Sequence, residues 1–185
     1  MATLARIIVL VLATLFASHA EARSTNVTDA DYPRALEAEG PVAVAWTNPE
    51  QFTEVRYSRN RFEAVRGDWV RDLAGYLRTT SAAALADGER LDVVITDIDR
   101  AGDYEPAMHR LADVRVVRDL YPPSIALRFT LHDAGGQVLA EGERRLTDLG
   151  FLSSSVGIPL YTDALRHEKR LLERWVRNEL RAPRR

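Results

Sequence analysis

The strongest constraint on the fold is a stretch of strict alternation between apolar and polar or small residues. Its apolar members are Ile125, Leu127, Phe129 and Leu131. Successive residues of a β-strand point to opposite faces, so this pattern predicts a strand with one buried face and one hydrated face. The turn residues Asp-Ala-Gly-Gly-Gln follow at 133–137. They predict a hairpin that leads to a partner strand over residues 138–146.

Three further segments have strand character. Residues 42–46 alternate larger and smaller apolar side chains, and the turn pair Asn48-Pro49 follows them. Residues 91–96 alternate apolar and other side chains over a longer stretch, and residues 114–116 do so briefly. With the hairpin, these segments predict about five strands.

Two segments have the apolar period of an amphipathic helix. The first covers residues 60–86, and the second covers residues 162–180. Gly67 and Gly75 lie opposite the apolar stripe of the first helix, where each costs about 1 kcal/mol relative to alanine. The stripes of both helices are expected to pack on the alternating row of the central strand.

The predicted element order is β-α-β-β-β-β-α. Because few strands are separated by helices, this order indicates an α+β fold: a mainly antiparallel sheet of about five strands with two helices packed on one face. Residues 42–182 form one domain in this prediction, and residues 23–41 form a mobile lead-in. Residues 50–58 have no sustained period, which predicts an irregular loop with exposed Phe52 and Tyr57.

Residues 1–22 have the pattern of a secretory signal. Arg6 precedes an apolar run over residues 7–17, and small-x-small cleavage patterns follow at 18–20 and 20–22. The run is shorter than the roughly 20 apolar residues that span a bilayer, which argues against an uncleaved anchor. We therefore expect an exported, soluble periplasmic protein with no transmembrane segment after signal cleavage.

Composition excludes several classes of protein. The chain of 185 residues has no cysteine. It therefore has no disulfide, no thiol chemistry, and no lipid-bearing cysteine of a lipoprotein. The formal net charge is −2, which gives no electrostatic basis for binding nucleic acid.

Several segments together carry a resemblance to a known family. They are Val44-x-Trp46 with Asn48-Pro49, Val94-x-Thr96-Asp97-x-Asp99-x-Ala101-Gly102, Val114-Arg115-Val116-Val117-Arg118-Asp119-Leu120-Tyr121-Pro122-Pro123, Leu149-Gly150-Phe151-Leu152, and Leu165-Arg166-His167-Glu168-Lys169-Arg170-Leu171-Leu172 before Trp175. In these segments the chain resembles a proteobacterial family of exported proteins, domain of unknown function 3016. The resemblance implies an exported location and an α+β domain. It implies no activity, substrate or catalytic residue.

Three acidic residues form the main candidate site. Asp97 and Asp99 lie two residues apart, so they are expected on one side of a strand, continuing its apolar row, with Asp103 following. Close carboxylates bind hard cations or hold a raised pKa for acid-base work. The calcium-loop pattern fits poorly, because Met108 occupies the position of its bidentate glutamate. The preferred alternative is structural, with Asp97 and Asp99 capping the following turn.

Two surfaces are candidates for binding. Asp119 and Tyr121 stand beside rigid prolines that form a binding platform or simply direct the chain. Five arginines of the last helix lie on one side, as an electrostatic patch or as an ordinary hydrated face. They are Arg166, Arg170, Arg174, Arg177 and Arg181. In the same helix Glu168 falls in the apolar stripe. If it is buried, it needs a partner such as Arg128 or Arg144.

The remaining polar residues match no cofactor or catalytic motif. His109, His132 and His167 lack the spacing of a zinc motif, with His132 on a hydrated strand face and His167 on a charged helix face. No cofactor is predicted. The sequence favours a non-enzymatic accessory or binding module of the cell envelope, whose partner is an envelope protein, anionic lipid or glycan. The alternative is a divalent-metal-binding protein or metal-assisted hydrolase that uses Asp97 and Asp99.

Overall fold

The computed structural model describes residues 25–105, 112–153 and 163–180. The strands are β1 (Val42–Trp46), β2 (Arg90–Asp99), β3 (Asp103–Tyr104), β4 (Arg115–Val116), β5 (Ser124–His132) and β6 (Val138–Thr147). The α-helices are α1 (Thr53–Tyr57), α2 (Arg61–Val65), α3 (Trp69–Ala82) and α4 (Arg166–Glu179). A short 3-10 helix covers Pro49–Gln51. None of the helices in these ranges has the length and apolar character needed to cross a membrane.

The α+β class is confirmed, but the sheet differs in detail from the prediction. The main sheet has four strands in the order β1-β2-β5-β6, and β3 pairs with β4 in a separate two-stranded sheet. β1 runs parallel to β2, whereas the β2–β5 and β5–β6 pairs are antiparallel. The sheet is mixed because α1, α2 and α3 lie between β1 and β2. This helical crossover returns the chain in the same direction.

The core lies between one face of the sheet and the two longer helices. The predicted row of β5 is buried, and α3 packs over β1 while α4 packs over β5 and β6. Phe129 on β5 meets the Trp175 ring of α4 edge-on, with ring centroids 5.4 Å apart. Two long helices on one face are therefore present, together with the additional short helices α1 and α2.

The first predicted helix is broken near its start. Asn60 caps α2 by accepting a hydrogen bond from the Glu63 N–H at 3.2 Å. The chain then becomes extended at Arg66, and Gly67 has a φ of +85°. Glycine adopts this left-handed conformation at little cost, which explains why a glycine stands within an otherwise helical pattern. Gly67 ends one helix rather than weakening a continuous one.

Residues 25–41 are packed against the domain, which corrects their interpretation as part of a mobile lead-in. Val27 is fully buried, and Tyr32 is 5% exposed. The Val27 N–H donates to the Val65 carbonyl at 2.9 Å, and the Leu36 N–H donates to the Val44 carbonyl at 2.9 Å. These bonds satisfy backbone groups of α2 and β1 that would otherwise face water.

The segment before α2 is helical rather than an irregular loop. The Asn48 side chain accepts from the Glu50 N–H and starts the 3-10 helix, and α1 follows it. Phe52 is fully buried, which contradicts its predicted exposure, while Tyr57 is 67% exposed as predicted. Five residues are too few to show a helical period in sequence, so α1 could not be predicted from the pattern of residues 53–57.

Candidate functional site

A β-bulge decides where the two central aspartates point. The register of β2 against β5 shifts between Ile95 and Asp97, so the extra residue Thr96 reverses the alternation. Ile98 therefore takes the buried position that follows Ile95. Asp97 and Asp99 share a face, as predicted, but it is the face opposite the apolar row. Their predicted continuation of that row is wrong, because sequence spacing does not show the bulge.

Asp97 is used to hold α1. Its Oδ1 accepts from the Thr53 N–H at 2.6 Å, and its Oδ2 accepts from the Thr53 hydroxyl at 2.7 Å. An Arg145 guanidinium nitrogen lies 3.6 Å away. A carboxylate at the first N–H groups of a helix satisfies donors that have no partner within the helix. This is a capping role, but it acts on α1 rather than on the turn after β2.

Asp99 lies in a cleft of about 310 Å³ where the end of β2 meets α1 and the start of β5. The cleft is lined by Thr53, Glu54, Tyr57, Ser58, Asp99, Arg100, Gly102, Asp103, Leu120, Tyr121, Pro122, Ser124 and Thr147. Its volume falls at the lower end of the range of small-molecule sites. The cleft brings together Asp99, Asp103 and Tyr121, which the sequence had placed in two separate candidate surfaces.

A buried ion cluster forms one end of the cleft. Glu54 of α1 is 3% exposed. It accepts from the Arg100 N–H at 3.0 Å and from an Arg100 guanidinium nitrogen at 2.9 Å, and it also accepts from Arg115 of β4. Arg115 in turn donates to the Gly102 carbonyl at 2.7 Å. The cluster ties α1, β2 and β4 together and fixes the shape of this end.

Sequence reasoning missed this cluster. Glu54 lies in the segment predicted as a loop, and Arg100 and Arg115 lie 15 residues apart on either side of a stretch without clear pattern. No spacing rule joins three such residues. The available signal was charge embedded among apolar neighbours, which is too common to identify a site.

Tyr121 and Asp103 form another wall of the cleft through Arg59. The Arg59 guanidinium donates to the Tyr121 hydroxyl at 2.7 Å and lies over the Tyr121 ring. Its Nε lies 3.6 Å from Asp103. The Tyr121 carbonyl accepts from the Gly102 N–H at 3.0 Å, so the Tyr-Pro-Pro segment is anchored to the end of β2. Asp119 is exposed and is not among the residues that line the cleft.

The Asp99 carboxylate differs from the other acids of the cleft. In the described part of the chain it accepts no hydrogen bond, whereas Glu54, Asp97 and Asp103 all do. Burial raises the pKa of Asp99 to about 7, and the nearby Glu54 and Asp97 carboxylates add to the increase. Arg115 opposes it. A carboxyl group that titrates near neutral pH in a cleft is typical of functional sites.

Three candidate arginines of α4, Arg166, Arg170 and Arg174, are half-buried, whereas Arg177 is exposed. Arg181 lies outside the described residues. Arg174 donates to Asp148 at 2.6 Å, and Arg166 donates to the Asp163 carbonyl at 3.2 Å. Arg170 is also half-buried and also has an interaction partner. Two of the three arginines thus tie α4 to neighbouring loops, and the candidate patch lies away from the cleft-lining residues.

Glu168 is buried, as its position in the apolar stripe indicates, but its partner was not foreseen. It is 1% exposed, and its Oε1 accepts from the Ala101 N–H at 2.6 Å. Burial raises its pKa. The suggested partners are engaged elsewhere, since Arg144 binds Glu179 and Arg128 faces Glu143.

The histidines do not converge. His132 lies on the hydrated face and pairs with Asp92 at 3.2 Å. His167 is buried against the Phe151 ring rather than on a charged helix face, and burial lowers its pKa to about 4. His109 lies outside the described residues. Across residues 25–105, 112–153 and 163–180, no three His, Asp or Glu side chains come together as a set of metal ligands.

Asp99→Asn is expected to stabilise the protein at pH 8 and not at pH 4. The pKa of Asp99 is higher in the folded than in the unfolded protein. Its contribution to the free energy of unfolding is therefore most favourable below the unfolded-state pKa and decreases as the pH rises to about 7. A shift of that size corresponds to about 4 kcal/mol, which we halve to about 2 kcal/mol because the carboxylate is partly open to solvent. Urea unfolding at both pH values measures the difference. An equal effect of the substitution at pH 4 and pH 8 would contradict the argument.

The fold and the cleft define an α+β domain with a small polar site at the end of a central strand. Residues 40–178 match the model of a family described as protein of unknown function, DUF3016, and the chain belongs to this family. No curated protein and no solved structure gives a significant match. The resemblance noted in the sequence is thereby confirmed.

Proposed function

We propose that the protein is an exported, non-enzymatic binding module of the cell envelope that takes a small polar ligand in the Asp99 cleft. The observation that carries this proposal is the Asp99 carboxylate, which faces the cleft without a hydrogen-bond donor from the described chain. Holding a carboxylate in this way lowers stability, as residues of binding sites commonly do. A ligand that supplies the missing donor would recover the lost free energy.

The lining residues support binding rather than catalysis. The Thr53 hydroxyl donates to Asp97, and the Ser58 hydroxyl oxygen accepts from the Asn60 N–H. No histidine or lysine lines the described part of the cleft beside these hydroxyls, so the bases that most often activate a hydroxyl nucleophile are missing there. The metal-dependent alternative has less support, because oxygens of Asp97 and Asp103 already accept hydrogen bonds.

Binding is tested by NMR screening of the protein purified from its host, with a fragment set that includes amines, carboxylic acids, sugars and short peptides. We expect at least one chemical class to shift the backbone resonances of Asp99, Gly102 and Tyr121. Asp99→Asn should weaken that binding at least about tenfold, the loss expected for a charge-assisted hydrogen bond. Asp119→Asn is the matched control, since Asp119 is an exposed aspartate outside the cleft. If no class shifts these resonances, the binding proposal fails.

Export is a separate part of the proposal and rests on residues 1–22. Its support is the signal pattern in the sequence and the resemblance to an exported family. Mass spectrometry of the protein from fractionated cells should find a chain that starts after residue 20 or 22, in the periplasmic fraction. A full-length chain that retains Met1 in the cytosol would contradict it. The candidate partners of the envelope, namely a protein, an anionic lipid or a glycan, depend on this location.

A further inference from the structure

We infer that the ligand of the cleft is an organic ammonium ion with a short alkyl body, its charged head bound by the Asp99 carboxylate. This inference rests on the proposed binding function and specifies the class of ligand. Three features of the described cleft support it: which hydrogen-bonding groups are already used, which charges surround Asp99, and where the apolar side chains lie.

The arginines beside the cleft already donate hydrogen bonds, and the Arg100 Nε, which has no partner in the described chain, is buried away from solvent. Arg100 and Arg115 donate to Glu54, and Arg59 donates to the Tyr121 hydroxyl. Asp99 is an acceptor that receives no hydrogen bond from the described chain. The unused capacity that a ligand can reach from solvent is thus that of an ionised acceptor, and its complement is a ligand that donates. Hydrogen bonds between ionised partners are the strongest of this kind, which favours an ammonium over a hydroxyl group.

Asp99 differs in charge pairing from the carboxylates around it. Glu54, Asp97 and Asp103 each have an arginine partner, whereas Asp99 forms no ion pair within the described chain. Glu54 of α1, Asp97 of β2 and Asp103 of β3 raise the pKa of Asp99, and Arg115 of β4 lowers it. The three carboxylates all increase the affinity of Asp99 for a proton. The same field increases the affinity of the site for any other cation that reaches it.

Apolar side chains stand beside this charged group. Leu120 is 68% exposed and Tyr57 is 67% exposed, and both line the cleft together with Pro122. They offer contact to a short alkyl chain whose head lies on Asp99. A hydrated metal ion would leave them unused, and the oxygens of Asp97 and Glu54 that could join Asp99 as ligands already accept hydrogen bonds. An alkylammonium ion uses both parts of the cleft.

NMR titration with pentylammonium, with the uncharged isostere 1-pentanol, and with Mg²⁺ tests the inference on the whole mature protein. At pH 8 we expect pentylammonium to bind at least about tenfold more tightly than pentanol, the usual worth of a charge-assisted contact. Its affinity should fall about tenfold or more at pH 5.5, since protonation removes the charge of Asp99. Asp99→Asn should abolish both differences, while Asp119→Asn should leave them unchanged. Because Asp99→Asn is expected to be the more stable protein, loss of binding would not reflect unfolding.

The outcomes distinguish an error in the ligand class from an error in the proposed binding function. If sugars or acids shift the cleft resonances while pentylammonium binds no better than pentanol, the ligand class is wrong and the binding function stands. If Mg²⁺ binds through Asp99 more tightly than pentylammonium, the site is a metal site and the inference is overturned. If no compound shifts these resonances, both proposals fail together.

Discussion

Glu54→Ala is expected to lower the free energy of unfolding by about 3–5 kcal/mol, the usual cost of removing one partner from a buried ion cluster. Glu54 is 3% exposed, and its carboxylate is the common acceptor of Arg100 and Arg115. Both guanidiniums have side chains that are less than one-fifth exposed. Without Glu54 they would remain in a poorly hydrated place without their anion, and the Arg100 N–H would lose its acceptor.

Urea unfolding followed by circular dichroism measures this change. Glu143→Ala is the control, because Glu143 is 77% exposed and lies 4.0 Å from Arg128 at the surface. Such a pair contributes about 0–1 kcal/mol. Glu54→Gln should fall between the two variants, since it keeps the shape and one acceptor oxygen but loses the charge. If Glu54→Ala cost no more than Glu143→Ala, the cluster would not hold the cleft.

Gly102→Ala is expected to lower the free energy of unfolding by about 2–4 kcal/mol, through backbone strain and steric overlap together. Gly102 has a φ of +83°, in the region that disfavours side chains. A Cβ atom there would lie 2.7 Å from the Val116 carbonyl oxygen and 3.1 Å from the Val117 Cα. These are backbone atoms, so relief requires β4 to move. Because Gly102 also forms hydrogen bonds with Arg115 and Tyr121, a shift of its backbone would change the shape of the cleft.

Gly136→Ala separates the two causes. Gly136 has nearly the same φ, +84°, but an added Cβ would meet only the end of the Arg90 side chain, at 3.8 Å. This variant should lose about 1–2 kcal/mol from the backbone conformation alone. The free energy that Gly102→Ala loses beyond the loss in Gly136→Ala measures the steric effect of β4 on residue 102. Thermal unfolding of both variants provides the comparison, and equal losses would show that β4 does not press on Gly102.

Much of the fold was predictable because local patterns do not depend on distant parts of the chain. The alternation of residues 125–132 and the turn at 133–137 predicted β5 and β6, and the stripe of the last helix predicted α4. The parallel direction of β1 relative to β2 was not predictable, because it depends on how the helices between the two strands return the chain to the sheet. Residue spacing also gave the wrong face for Asp97, because one extra residue in β2 moves Asp97 to the face opposite the apolar row.

The sequence by itself determined the α+β class, the family and a wider set of candidate residues, of which Asp99, Asp103 and Tyr121 line the cleft. Periodicity and short motifs are properties of neighbouring residues, so they can be recognised from the sequence alone. Only the tertiary structure decided that these residues share a cleft with Glu54, and that Asp97 holds a helix while Asp99 faces the opening. The physical reason is that burial, hydrogen-bond satisfaction and electrostatic fields arise from side chains far apart in the chain. Glu54 and Arg115 meet across 61 positions of sequence.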